Sequence, residues 1–273
     1  RLRGPAPEDG VTESEWITSD DPQRMLQSLV RRKRRKVPGG PGLDPERFRV
    51  FAVACCRRVW DHLSEIMQNV LRHLERDPED QEPNTRALAW QIHENEAERL
   101  GSQWAGEMAQ ILGGQANYRR LLEIDVQRWA CAAVGYAAMI KPYHAAVHAP
   151  RAAARAVGMA EFLVGFPSGQ PVSRSTYDRD RESAAERRAQ AGVLRDVFGN
   201  PFRPAAFDAT WRTDTVVSLA QRMREEREFS AMPILADALQ DAGCENAVIL
   251  AHCRDPKGVH VRECWVVDLV LGK

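Results

Sequence analysis

Cys264-Trp265-Val266-Val267-Asp268-Leu269-Val270-Leu271 is the one stretch of this chain with enough β-branched residues for a strand. A strand must hand its backbone N–H and C=O groups to a neighbour, and no other segment reads as that neighbour. The stretch is therefore taken as the end of a helix over 261–271, and the fold class as all-α. Moving upstream, short helical patterns are expected at 245–253, 232–242 and 213–228, and a charged helix at 178–198. Between them, Gly199-Asn200-Pro201-Phe202-Arg203-Pro204 cannot continue a helix, and Phe198, Phe202 and Phe207 are placed to pin this irregular connection to a core.

The N-terminal half has the same grammar. Asp44-Pro45 is a cap followed by proline, and Phe48, Phe51, Ala52, Cys55, Val59 and Leu63 recur at helical spacing behind it. Longer helices are expected at 85–111, with Trp90, Ala97, Leu100, Trp104, Met108 and Ile111 on one face, and at 118–141. A further Ala-rich helix is expected at 152–164. Thr12 or Ser14 can cap a first turn carrying Trp16, and Pro22 opens a short helix to about residue 32. Gly165-Phe166-Pro167-Ser168-Gly169-Gln170-Pro171 is the best internal break. The expected architecture is a multi-helix bundle with a smaller helical C-terminal unit. A disordered or non-native leader (1–10) precedes a helical body (11–164), a linker (165–175) and the C-terminal unit (176–273).

Composition narrows the function classes. With 273 residues, 44% of them hydrophobic, the chain can bury a full core without staples. Lys plus Arg is 38 and Asp plus Glu is 38, which argues against a uniformly cationic nucleic-acid binder. The neutrality is a cancellation: residues 1–60 carry 13 cations against eight anions, and residues 61–130 carry seven against 13. That asymmetry favours self-association slightly over nucleic acid. No apolar run suits a membrane span and no secretory signal is visible. The six cysteines form no disulfide framework, so a reducing, cytoplasmic location is expected.

One segment carries concentrated chemistry. Cys244, His252, Cys253, His260 and Cys264 are five soft or borderline ligands close together in sequence, and zinc takes four such ligands tetrahedrally. His260 and Cys264 share a helical face, and Asp255-Pro256-Lys257-Gly258 is a turn that can fold His252 or Cys253 back toward them. No Cys-x-x-Cys knuckle is present, and the competing account makes Cys244 and Cys253 small core residues. Cys55 and Cys56 read as core packing, with one buried and the other on the flank. The cationic run Arg31 to Lys36 lacks interleaved aromatics and reads as a solvated loop or helix end. His144 and His148 lack a nearby acid, and Glu94, Glu96 and Glu98 read as a solvated face. No phosphate loop, His-Glu-x-x-His or nucleophile elbow occurs.

Several of these stretches together resemble a group of uncharacterised bacterial proteins of planctomycete-like genomes. They are Thr12-Glu13 with Glu15-Trp16, Phe51 to Trp60 (FAVACCRRVW), Phe198 to Pro204, and Pro233 to Cys244 (PILADALQDAGC). The C-terminal ones are Ile249 to Arg254 (ILAHCR), His260-Val261-Arg262 and Cys264 to Asp268 (CWVVD). The resemblance implies no activity. It does imply that Val11 stands at the usual start, so that residues 1–10 are not native, and that the 31–36 run is a local insertion.

The residues thus point to a non-enzymatic helical interaction or scaffold protein, with a protein partner or self-association and no cofactor. The alternative is a zinc-binding protein whose structural site uses Cys244, His252, Cys253, His260 and Cys264. A second alternative is weak nucleic-acid binding through residues 31–36.

Overall fold

The computed structural model describes residues 11–34, 44–76, 84–113, 118–139, 141–165 and 182–273. Among these the chain is all helical, with twelve α-helices and no strand. The expectations for residues 1–10, for Arg35 and Lys36, and for the 165–175 connection beyond Gly165 lie outside the described residues. No described helix is long and apolar enough to cross a membrane.

The chain divides into two compact units, Asp44–Gln190 and a discontinuous one made of Arg1–Leu43 with Ala191–Lys273. This differs from the expected division, in which residues 11–43 belonged to the same body as 44–164 and the C-terminal unit began at 176.

In Asp44–Gln190, α3 (Pro45–Arg57) starts as expected: Asp44 accepts from the Glu46 N–H and Pro45 occupies the first turn. Cys55 and Cys56 are both fully buried, against the expectation that one would flank. A 3-10 turn at Trp60–His62 separates α3 from α4 (Glu65–Leu74), so Leu63 is not on α3. Next come α5 (Thr85–Leu112), α6 (Arg119–Ala137) and α7 (Pro142–Val164). On α5 the buried side chains are Ala89, Glu96 and Leu100, while Ala97 is exposed and the tryptophans are half-buried. Glu96 is thus no solvated acid: its carboxylate takes two hydrogen bonds from Arg99, at 2.7 and 2.8 Å.

The helix expected at 152–164 begins ten residues earlier, because Pro150 sits inside it instead of before it. Pro150 has no N–H for the preceding turn, and its own carbonyl accepts from Gln190 Nε2 at 2.9 Å. Small residues let α6 and α7 approach closely: Ala130, Ala133 and Ala137 face a core that also takes Ala145, Ala149, Ala152, Ala153 and Ala156. Gly135 on α6 is required by α5, since a Cβ there would lie 2.3 Å from the His93 ring.

The other unit contains α1 (Glu13–Thr18), α2 (Pro22–Arg34), the C-terminal part of α8 (Ala184–Phe198), α9 (Asp214–Glu226), α10 (Met232–Asp241), α11 (Ala247–Arg254) and α12 (Trp265–Leu271). Its N-terminal helices join it for a visible reason. Thr12 and Glu15 form a capping box, which presents Trp16 in a buried position. Trp16 Nε1 then donates to the Gly199 carbonyl at 3.0 Å, and Arg195 Nε donates to the Trp16 carbonyl at 2.9 Å. Asn200 and Arg203 both hold Glu13, at 2.9 and 3.0 Å. The cationic run begins inside α2, which extends to Arg34, two residues past the expected end.

Around α9 to α12 the core collects Val216, Ala220, Met223, Leu235, Leu239, Ile249, Val266, Val267 and Val270. The strand-like segment is α12. Its three valines are fully buried, and apolar burial of about 1.5–3 kcal/mol per such side chain outweighs a helix-propensity deficit of about 0.5 kcal/mol each.

Candidate metal centre

Four side chains from four different stretches converge in the discontinuous unit. Asp196 comes from the C-terminal part of α8, where Val193, Leu194, Val197 and Phe198 are buried with it. His252 comes from the last turn of α11, a helix opened by Asn246, whose side chain accepts from the N–H groups of Val248 and Ile249. His260 follows the turn at Asp255–Gly258, closed by Gly258 N–H to the Asp255 carbonyl at 3.1 Å. Cys264 is the N-cap residue of α12.

Their potential ligand atoms all lie within 4.8 Å of one another. Asp196 Oδ1 is 3.0 Å from His260 Nδ1 and 3.2 Å from His252 Nε2. Cys264 Sγ is 3.1 Å from His252 Nε2 and 4.0 Å from His260 Nδ1. A tetrahedral ion with bonds of about 2.0–2.3 Å separates its ligand atoms by roughly 3.3–3.6 Å, and these four distances bracket that geometry. The set of one sulfur, two imidazole nitrogens and one carboxylate oxygen is also a zinc donor set.

Electrostatics agree with a charged site. Burial works to raise the pKa of Asp196, but hydrogen bonds from His252 and His260 hold it below the ordinary carboxylate value. Its other oxygen, Oδ2, accepts from the Val261 N–H at 2.8 Å, so the carboxylate is positioned from two sides. Burial, followed by the neighbouring Asp196 charge, pushes the Cys264 thiol well up, opposed by hydrogen bonds from the N–H groups of Val267 and Val266. A bound cation reverses that balance, because it replaces the thiol proton outright.

The arrangement is unsuited to a Cys-His-Asp hydrolase. In such a site the nucleophile and the acid use opposite nitrogens of the histidine, whereas here Cys264 Sγ and Asp196 Oδ1 both face Nε2 of His252. Cys264 is also fully buried, and burial disfavours ionisation of its thiol, which makes it a poor nucleophile.

Of the five residues expected as ligands, His252, His260 and Cys264 are brought together, and Cys244 and Cys253 are not. Both of these are buried in the apolar cluster of α9 to α12, with burial and the adjacent Cys244 pushing Cys253 up to about 12. The turn at Asp255 returns His252, and not Cys253, toward His260. His260 and Cys264 are close through a turn, Cys264 N–H to the Val261 carbonyl at 2.9 Å, since the helix begins at Trp265 and not at 261. Asp196 is the member that sequence spacing missed. The available signal was an acid among Val193, Leu194 and Val197 in the expected charged helix.

Other candidates separate from this set. His144 and His148 lie on α7 with ring centroids 6.3 Å apart. Among the described residues neither they nor Glu94 and Glu98 belong to a group of three potential ligands. No protein-family model, curated protein or solved structure matches this chain.

Proposed function

We propose that this is a zinc-binding helical protein, in which Asp196, His252, His260 and Cys264 hold a structural zinc ion that ties α8, α11 and the start of α12 together. The observation that supports this most is the mutual approach, within 4.8 Å, of four donor atoms drawn from residues as far apart as 196 and 264. Three of the four residues are nine-tenths buried or nearly so: Asp196 and Cys264 are 1% and 0% exposed and the His260 side chain 8%. That burial favours a closed structural ion over a catalytic one, which keeps an open position for water or substrate.

Zinc has no visible spectrum, so cobalt is the useful probe. Adding Co²⁺ to metal-free protein is expected to give intense tetrahedral absorption bands and a thiolate charge-transfer band that is lost in Cys264→Ser. A pale spectrum like that of the hydrated ion, the same in both proteins, would overturn the proposal.

A further inference from the structure

The hydrogen bond between Trp265 and His252 bears directly on how a metal enters the site. Trp265 Nε1 is 3.2 Å from His252 Nδ1. An indole nitrogen can only donate, so Nδ1 must offer its lone pair, and the single proton of the neutral ring resides on Nε2. That is the nitrogen facing Asp196 Oδ1 and Cys264 Sγ. In this tautomer the metal-free site is held by hydrogen bonds, with His252 Nε2–H directed at the carboxylate and the sulfur.

From this arrangement we infer that Trp265 is a latch on the metal site: its indole N–H stabilises the metal-free tautomer of His252 and must leave Nδ1 when a metal ion binds. The inference rests on the metal reading proposed above. When Nε2 coordinates, its proton is released to solvent, and the neutral ring takes one back on Nδ1 so that the net change at His252 is a tautomer shift. Two N–H groups would then oppose each other across the same short gap. Metal-ligating histidines ordinarily give the second N–H to an acceptor, and here His252 meets a donor. The indole is also restrained on its other side: the Trp265 ring packs on Gly199, where an added Cβ would lie 3.3 Å from ring carbons. Relief therefore requires the indole to turn or slide away from His252.

The latch lowers metal affinity by the worth of a buried hydrogen bond plus the unpaired donor it leaves, about tenfold or more. Trp265→Phe, which keeps an aromatic ring and removes the N–H, is expected to bind Zn²⁺ about tenfold more tightly than the unaltered chain in competition with a chromophoric chelator. In the unaltered protein the Trp265 indole ¹⁵N–¹H resonance is expected to shift on adding one equivalent of Zn²⁺, and that signal keeps the inference testable if the Phe variant folds poorly. If zinc binds, but with the same or lower affinity in Trp265→Phe and with no shift of the indole resonance, the latch is refuted while the zinc site stands. If neither protein binds zinc, the site itself is refuted, and the latch with it.

Discussion

His93 shows how packing sets the chemistry of a single residue. Its ring fills the space left by the missing side chain of Gly135 and lies against Trp90, with ring centroids 5.1 Å apart. Burial lowers its pKa below the ordinary value, the neighbouring Glu94 opposing weakly. A histidine depressed in the fold is protonated more readily in the unfolded chain. Its contribution to stability is therefore present above the unfolded pKa of about 6.5 and is lost as pH falls from there toward the depressed value. Denaturant unfolding at pH 7.5 and 5.5 should show a larger loss on acidification in the natural chain than in His93→Gln; equal losses would show that His93 is not the cause. At this scale the metal ligands were only partly legible. The dense segment from Cys244 to Cys264 announced three of the four, because local spacing records what a turn can bring together. Asp196 escaped because its closeness to His252 is created by tertiary packing of α8, and Cys244 and Cys253 misled because a small buried thiol and a ligand thiol look alike in sequence.

Helix α12 is the element on which the fold class turned. Its valines favour extended backbone taken alone, but its C-terminal end is built for a helix. Gly272 takes a left-handed φ of 70°, and Lys273 N–H returns to the Asp268 carbonyl at 3.0 Å. Arg212 reaches the same terminus, donating to the Val270 carbonyl at 2.9 Å and to Leu269 at 3.0 Å, where a cation also complements the helix dipole. Removing these contacts in Arg212→Ala should cost about 1 kcal/mol of stability, read as a lower denaturant midpoint with an unchanged slope; an unmoved midpoint would deny the cap a role. The absence of any partner strand was the decisive and correct sequence argument for this element. Helix boundaries were less legible where one residue type has two uses: Pro150 reads as a helix start, and it lies within α7.

At the scale of the whole molecule, the chain's breaks did not predict its units. A Gly/Pro-rich stretch marks where helix must stop, and it does not say which helices share a core. Trp16 illustrates the point: its indole N–H bonds to a carbonyl 183 residues away, which places the N-terminal helices with the C-terminal ones. The fragment 44–190, which contains every residue of its own apolar cluster, is expected to remain helical and to unfold cooperatively when expressed alone. Fragment 176–273, deprived of Trp16, Met25, Leu26 and Leu29, is expected to show weak, non-cooperative melting. The reverse outcome in circular dichroism would restore the division suggested by the sequence breaks.

The proposed tie between α8, α11 and α12 requires an ion at Asp196, His252, His260 and Cys264. Elemental analysis of protein refolded with zinc and freed of excess metal measures it directly. About one zinc per chain is predicted, falling below about a tenth in an Asp196→Asn, Cys264→Ser double variant. Less than about a tenth of a zinc in the unaltered chain, or an equal content in the double variant, would contradict it.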